Sequence, residues 1–422
     1  RAGLTVARAI REALPDLPIV LGGYFPSSTY RTLLHRFPFV TAIVRGDGER
    51  AALAISQRLA RGEALESSAV PNLTWISNST VHETTSSPVH LNELPTLDFR
   101  LLRHPSRYQI IDLMTSRGCP FTCNYCLEGT MRPYAAHPPS WVDQQLEHLE
   151  DTVPNRRVFI YDPVFGLGRN RTSDVLDVLR KHPFTYAVES RVDVLAPELV
   201  PQLRDAGVET IFFGIESASP DTLLRMKKLR SEDRAVAYLE QGKKVLRACL
   251  KSDITPVMGF MLAFPGDTER DLAATLRYTE ELGELHRDAA AREDGTGFVP
   301  FAFYTKIYDG APVAAHLDRD FPDTELVAEP FIGERMVRQS SASLSLEIVK
   351  AYQARIVEQG AYTPLALKRL WQYYSFSLQA FLEEHPELTD AKGVAHVRDY
   401  LRRFPQAFDV ASTVMAYDKS RD

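Results

Sequence analysis

The stretch Cys119-Pro120-Phe121-Thr122-Cys123-Asn124-Tyr125-Cys126 puts three of the chain's four cysteines within eight positions, directly after a strand-like run at residues 109 to 115. Gly118, Pro120 and Asn124 mark the segment as a loop, so the thiols stand at the C-terminal end of a strand. Thiolates are soft ligands, and three on one short loop can wrap an iron–sulfur cubane while one iron keeps no protein ligand. A four-thiolate zinc site is the alternative. It needs Cys249, which falls mid-helix in Val245-Leu246-Arg247-Ala248-Cys249-Leu250 and reads as a buried apolar side chain.

Outward from this loop, strand and helix patterns alternate regularly to about residue 306, with candidate strands at 109–115, 157–161, 185–191, 209–215, 254–263 and 299–306. Six strands separated by helices predict an α/β fold, a partial parallel (β/α)6 barrel whose chemistry sits at the C-terminal strand ends. Upstream, a helical pattern at 4–14 leads to Ile19-Val20-Leu21 and Gly22-Gly23. A helical stretch at 29–37, the run Thr41-Ala42-Ile43-Val44, the turn Gly46-Asp47-Gly48 and a helix from Glu49 to about Arg61 follow. This alternation predicts a partial doubly wound (Rossmann-like) unit. Residues 62 to 100, rich in Ser, Thr, Asn and Pro, read as a linker with one short strand at Trp75-Ile76. Residues 316 to 422 read as helical without a strand, and the helical spacing of Trp371, Tyr373, Tyr374 and Phe376 favours core packing over a pocket. The expected division is therefore 1–100, 101–315 and 316–422.

Composition narrows the function classes. The chain has 422 residues, 44% hydrophobic and 25% charged, the balance of a folded soluble protein of two or three domains. With 55 Asp plus Glu against 49 Lys plus Arg, a net charge of -6 leaves no global basic field for a nucleic-acid backbone. No apolar run reaches the roughly 18 residues of a spanning helix, and the most hydrophobic, Ile254 to Phe264, is closed by Pro265-Gly266. Four cysteines are too few for a disulfide scaffold and point to a reducing compartment, the cytoplasm. Residues 1 to 118 and 250 to 422 hold no Cys, so no second cluster is expected. The opening Arg1-Ala2-Gly3 has no initiator Met and already follows a helical pattern, which reads as a fragment.

The C-x3-C-x2-C spacing, with Tyr125 before the last cysteine, resembles the signature of the radical S-adenosylmethionine (SAM) superfamily. The resemblance implies that Cys119, Cys123 and Cys126 hold a [4Fe-4S] cluster, that the methionine end of SAM chelates the open iron, and that cluster reduction cleaves the sulfonium bond. It continues along the barrel. Phe159-Ile160-Tyr161-Asp162 is similar to the strand whose end holds the methionine amino group, although Asp162-Pro163 departs from the Gly-Gly-Glu of many members. Glu189-Ser190-Arg191 resembles the segment facing the methionine carboxylate, with pairing of Arg191 to Asp193 as the alternative. Phe212-Phe213-Gly214-Ile215-Glu216-Ser217 resembles the next strand end, which implies adenosine contacts from Gly214, Glu216 and Ser217. The Pro265-Gly266 turn in Gly259 to Thr268 is similar to the one that frames the adenine. Phe301, Phe303 and Tyr304 are substrate-side candidates by position alone.

Ile19 to Tyr24 and Ile43 to Glu49 resemble the later half of the cobalamin-binding domain of one subgroup, which would set Gly22 and Gly23 against the nucleotide end of cobalamin. Leu91-Asn92-Glu93-Leu94-Pro95 is similar to that subgroup's domain junction. The implied activity is cobalamin-dependent methylation of an unactivated carbon of a small molecule or peptide, with a flavodoxin- or ferredoxin-like electron donor. Radical cyclisation or rearrangement is the runner-up. A non-catalytic iron–sulfur binding protein is the reading from a different class.

Overall fold

The structure, a computed structural model, describes residues 2–103, 108, 110–153, 157–289, 295–328 and 334–374. At the N-terminal end, β1 (Val20–Leu21), β2 (Ala42–Val44), β3 (Leu73–Ser77) and β4 (Thr80–Glu83) form one sheet in that order. β1 and β2 are parallel and alternate with helices Ala2–Ala13, Tyr24–Arg36 and Glu49–Ala60, as the sequence predicts. β3 and β4 are antiparallel additions, so part of the expected linker belongs to this sheet. Their two-residue turn has Asn78 and Ser79 at φ 49° and 62°. Such a turn favours Asn at its first position, and that was the missed signal.

Six parallel strands follow in chain order: β5 (Ile111–Leu113), β8 (Arg157–Ile160), β9 (Thr185–Ser190), β10 (Val208–Glu216), β11 (Thr255–Leu262) and β12 (Val299–Tyr304). A small antiparallel ladder, β6 (Ser116–Arg117) with β7 (Ala135–Ala136), brackets the cysteine loop. β5 and β12 are the two edges, so the curved sheet stays open as a partial barrel. Alternation sorts the side chains. Tyr186, Val188, Phe213 and Ile215 face the main core, which they share with Leu146, Leu176 and Leu246 of the covering helices. Phe159 and Ala187 face the other way and meet Tyr373 in a separate inner cluster.

Helix Pro364–Tyr374 closes the floor of the barrel, where the Tyr373 hydroxyl lies 2.8 Å from Thr185 Oγ1 and Arg369 donates to the Asp253 carbonyl at 2.9 Å. A cavity of about 270 Å³ lies there, beside Arg157, Thr185 and Glu209, at the end of the strands opposite the cysteine loop. The expectation of a wholly helical C-terminal part is corrected. β13 (Lys306–Tyr308), β14 (Glu325–Ala328) and β15 (Glu334–Gln339) form an antiparallel sheet in the order β13-β15-β14, ahead of helix Leu346–Glu358. β15, Glu-Arg-Met-Val-Arg-Gln, lacks clean apolar alternation, and pairing with its neighbours makes it a strand. Phe376 and the rest of 375–422 lie outside the described residues, as do the side chains of Trp371 and Tyr374. Among the described residues no helix is long and apolar enough to cross a membrane.

Candidate active site

The cysteine loop leaves the C-terminal end of β5 and is held from below by Asp162. That carboxylate, 1% exposed, accepts from Thr115 N and Thr115 Oγ1, each at 2.6 Å, and from Ser116 N at 2.8 Å. Burial raises its pKa, and these donors act against the rise. The sequence reading gave Asp162 to the methionine amino group. In the structure both its oxygens are occupied by the backbone and hydroxyl that launch the loop, so its role is positioning.

A second anchor was not foreseen. Asn124 is buried: its N–H donates to the Met226 carbonyl at 2.9 Å, its Nδ2 to the Arg225 carbonyl at 2.8 Å, and its carbonyl accepts from Val313 N at 2.9 Å. Helix Pro220–Arg225 is fixed in turn by Asp267, which accepts from Thr222 Oγ1 and Arg225 Nη2, each at 2.6 Å. Asp267 is buried, which pushes its pKa up to about 7. Pro265-Gly266, at φ 83° for the glycine, is thus the turn that brings Asp267 under this helix. Gly266 N donates to the Ser340 carbonyl at 2.7 Å, and a Cβ at Gly266 would press on the Phe321 ring. The chain of contacts runs from this turn through Arg225 to Asn124 and the thiols.

Cys119, Cys123 and Cys126 are all half-exposed and unpaired. Burial pushes the Cys126 thiol up to about 12 and raises that of Cys119. Cys249 is buried in the main core, raised by burial alone, and does not join the trio. With Cys249 apart in the core, a four-thiolate zinc site is one ligand short, whereas a cubane can take three thiolates, one per iron, and leave the fourth iron open, so the donor set fits a cubane.

Arg191 takes the alternative the sequence offered, and adds a contact to the cysteine loop. It forms the ion pair with Asp193, through Nε at 2.9 Å and Nη2 at 2.8 Å, and its Nη1 points at Cys123 Sγ at 3.6 Å. Its guanidinium also lies 3.9 Å from the Phe121 ring centroid, which fixes the plane of the fork. Ser190 is turned the other way and donates to the Phe165 carbonyl at 2.6 Å. Ser217, buried, accepts from Ser219 N at 3.1 Å and lies against Thr275. Both hydroxyls are thus engaged in holding the strand ends, a role the sequence reading did not give them.

Glu216 ends β10 at φ 71°, after a register shift between Gly214 and Glu216. The kink turns its carboxylate to the buried Lys228, 3.2 Å away, a partner the sequence reading missed. A Cβ at Gly214 would displace the Glu216 carboxylate from its place beside Lys228, and the Gly214 carbonyl accepts from the Tyr238 hydroxyl at 2.5 Å. Tyr125 stands edge-on to Phe264 at 6.4 Å between centroids, and burial raises its pKa well above the ordinary value. The Glu189 carboxylate, half-buried, has no hydrogen bond or ion pair among the described residues, whereas its backbone carbonyl accepts from Phe165 N at 2.7 Å; burial first, then the Glu128 and Glu216 carboxylates, push the side chain's pKa up to about 7.

The N-terminal sheet presents its parallel strand ends to this loop. Gly23, at φ 97°, leads into helix Tyr24–Arg36, and Ser27 of that helix accepts from Gly46 N at 2.9 Å, tying the turns after β1 and β2 together. Tyr24 donates to Glu128 Oε2 at 2.8 Å, two residues beyond Cys126. Asp47 accepts from Arg132 at 2.8 Å and Arg117 at 3.3 Å, residues flanking the loop on both sides. The junction Leu91 to Pro95 is strapped to helix Pro139–Thr152, whose Trp141 donates to the Pro95 carbonyl at 3.3 Å.

Residues 113–279 match the profile of the radical SAM superfamily, a span that runs from the end of β5 through β11. Over this span the chain carries a radical SAM domain. An uncharacterized methyltransferase of Pyrococcus horikoshii is 25% identical over 289 residues, covering 66% of this chain and 61% of its own. An anaerobic magnesium-protoporphyrin IX monomethyl ester cyclase of Rubrivivax gelatinosus is 24% identical over 285 residues, covering 64% and 50%. The chain thus spans less than two thirds of the length of either relative. The solved radical SAM methyltransferase TsrM of Kitasatospora setae, with cobalamin and a [4Fe-4S] cluster bound, superposes with a TM-score of 0.65 at 15% identity, over 85% of this chain and 75% of its own. The two share a fold.

Proposed function

We propose that the protein is a cobalamin-dependent radical SAM enzyme that methylates an unactivated carbon of a small molecule or peptide. The observation that carries this reading is the meeting of two strand-end edges: the Gly22-Gly23 and Gly46 turns of the N-terminal sheet are fastened to the cysteine loop through Tyr24, Glu128, Asp47 and Arg132. The fold shared with TsrM and the methyltransferase name of the Pyrococcus relative support it. When bound, the cluster would supply the electron that breaks SAM, and the cobalamin would carry the methyl group.

This chain's residues do the placing. Cys119, Cys123 and Cys126 would ligate three irons, and Arg191 would hydrogen-bond the Cys123 sulfur, a contact of the kind that tunes cluster potential. Tyr125, Gly214 and Glu216 line the side from which SAM would approach, and the turn at Pro265-Gly266 holds the wall behind it. Gly22 and Gly23 leave the N-terminal edge open to a bulky tail. The unpaired thiols fit a reducing compartment such as the cytoplasm, where a flavodoxin- or ferredoxin-like donor would reduce the cluster. A radical step ending in ring closure is the second reading, favoured by the name of the Rubrivivax relative.

The test is cobalamin retention and S-adenosylhomocysteine formation by the reconstituted protein. Cobalamin that co-elutes with the protein, with S-adenosylhomocysteine formed only in its presence, is expected. Failure to retain cobalamin would remove the methyltransferase assignment and leave the radical step alone.

A further inference from the structure

The inner face of the barrel carries a half-buried carboxylate that neither the cluster nor the strand-end network uses among the described residues. Glu189 projects to the same face as Ala187, opposite to the core-facing Tyr186 and Val188, and sits beside Phe212 in the parallel register of β9 and β10. Phe212 belongs to a ring cluster. Its centroid is 6.3 Å from Phe301 and 6.5 Å from Phe303, which are 5.0 Å from each other. Gly259 exists in β11 to admit this cluster, since a Cβ there would strike the Phe212 ring. On the other side of Glu189, Tyr161 is 50% exposed at the end of β8, with its ring 5.4 Å from Phe159. A half-buried carboxylate is therefore set into a wall of aromatic faces.

Charge on this face does not balance. The buried cations of the site are committed, Arg191 to Asp193 at 2.8 Å and Lys228 to Glu216 at 3.2 Å. Glu189 has neither, and its carboxylate neighbours repel it. A half-buried carboxyl without a partner takes up a proton more readily, and a ligand of opposite charge draws it back to the ionised form. Ring faces and a carboxylate together are the elements that recognise an organic cation.

Resting on the radical SAM reading of the site, we infer that the inner face of β9 to β12 receives a substrate bearing a flat conjugated ring and a protonated nitrogen, with Glu189 as its counter-ion. The rings of Phe212, Phe301, Phe303 and Tyr161 supply the surface for the conjugated part, and Glu189 sets its orientation relative to the cysteine loop. This moves Glu189 from the cofactor to the substrate.

Calorimetric titration of the cluster-loaded protein tests this with three probes of one shape: 2-phenylethylammonium, 2-phenylethanol and 3-phenylpropionate. The ammonium should bind about tenfold more tightly than the carboxylate, the ratio expected of about 1.4 kcal/mol of charge discrimination. In Glu189→Gln the ratio should fall to about twofold or less, and the melting temperature should hold or rise because an unpaired charge has gone. Equal binding of the three probes, or a preference that survives in Glu189→Gln, overturns the inference. So does a loss of SAM affinity in Glu189→Gln with the probe preference intact, which would return the carboxylate to the cofactor. Deoxyadenosine formation by the unmodified protein is scored separately; its absence counts against the radical chemistry and leaves the probe ratios to decide the inference.

Discussion

Replacing Asp162 should unfix the cysteine loop without touching a thiol. Its carboxylate takes three donors inside the protein, two of them backbone N–H groups of the residues that open the loop. Hydrogen bonds to a charged acceptor contribute about 1.5 kcal/mol each at the low end, or roughly 4 to 5 kcal/mol for three. Keeping the carboxylate buried costs part of that, as the direction of its pKa shows. Asp162→Ala should therefore lose about 3 kcal/mol in urea denaturation and retain much less iron after reconstitution. Asp162→Asn should lose only about 1 kcal/mol, because one amide oxygen can serve both N–H groups and the amide nitrogen can donate to Thr115 Oγ1. SAM affinity, measured on cluster-loaded protein, separates positioning from contact. If Asp162→Asn is as stable as the parent and loads iron normally, yet loses SAM binding as severely as Asp162→Ala, the carboxylate charge touches the cofactor and the positioning argument is wrong.

Gly259→Ala should push the Phe212 ring out of the inner cluster and cost about 2 kcal/mol in a chemical melt, with Gly259→Ala/Phe212→Leu recovering part of it; an unchanged melt for the single variant would show that the ring has room to move. His137 is stacked on Trp141 at 3.6 Å, and burial depresses its pKa to about 4. A histidine depressed in the folded state stabilises fully above its unfolded pKa of about 6.5 and loses that contribution as pH falls toward 4, a total of about 3 kcal/mol. His137→Phe should flatten the loss of stability between those two pH values, and an unaltered acid limb would assign it to other groups.

The parts of the fold that the sequence disclosed are those where periodicity and loop chemistry coincide. All six barrel strands are both apolar and bounded by turns, and the cysteine spacing names its own loop. The β3–β4 hairpin and β15 were hidden because partner strands, not their own patterns, make them strands. The partner of Glu216 was hidden for a sharper reason. Lys227 and Lys228 are adjacent and chemically identical, but Lys227 adopts φ 52° and stays exposed, which turns Lys228 inward to 7% exposure. No local pattern distinguishes the two. Asp162 was misread because a strand-end carboxylate near a cofactor loop can face the ligand or the loop's own backbone, and only the register of β5 against β8 decides which. Arg191 pairs with Asp193 as the sequence's alternative had it, and its contact with the Cys123 sulfur was not legible because it depends on how the loop folds back over β9.

The most direct test of the central claim is mass spectrometry of SAM breakdown after anaerobic reconstitution and reduction, comparing the unmodified chain with Cys123→Ala. The account predicts 5′-deoxyadenosine from the unmodified chain and none from the variant. An unmodified chain that carries four irons and four sulfides yet forms no deoxyadenosine, or a variant that forms it equally, would contradict the assignment of the cysteine loop as a radical-generating centre.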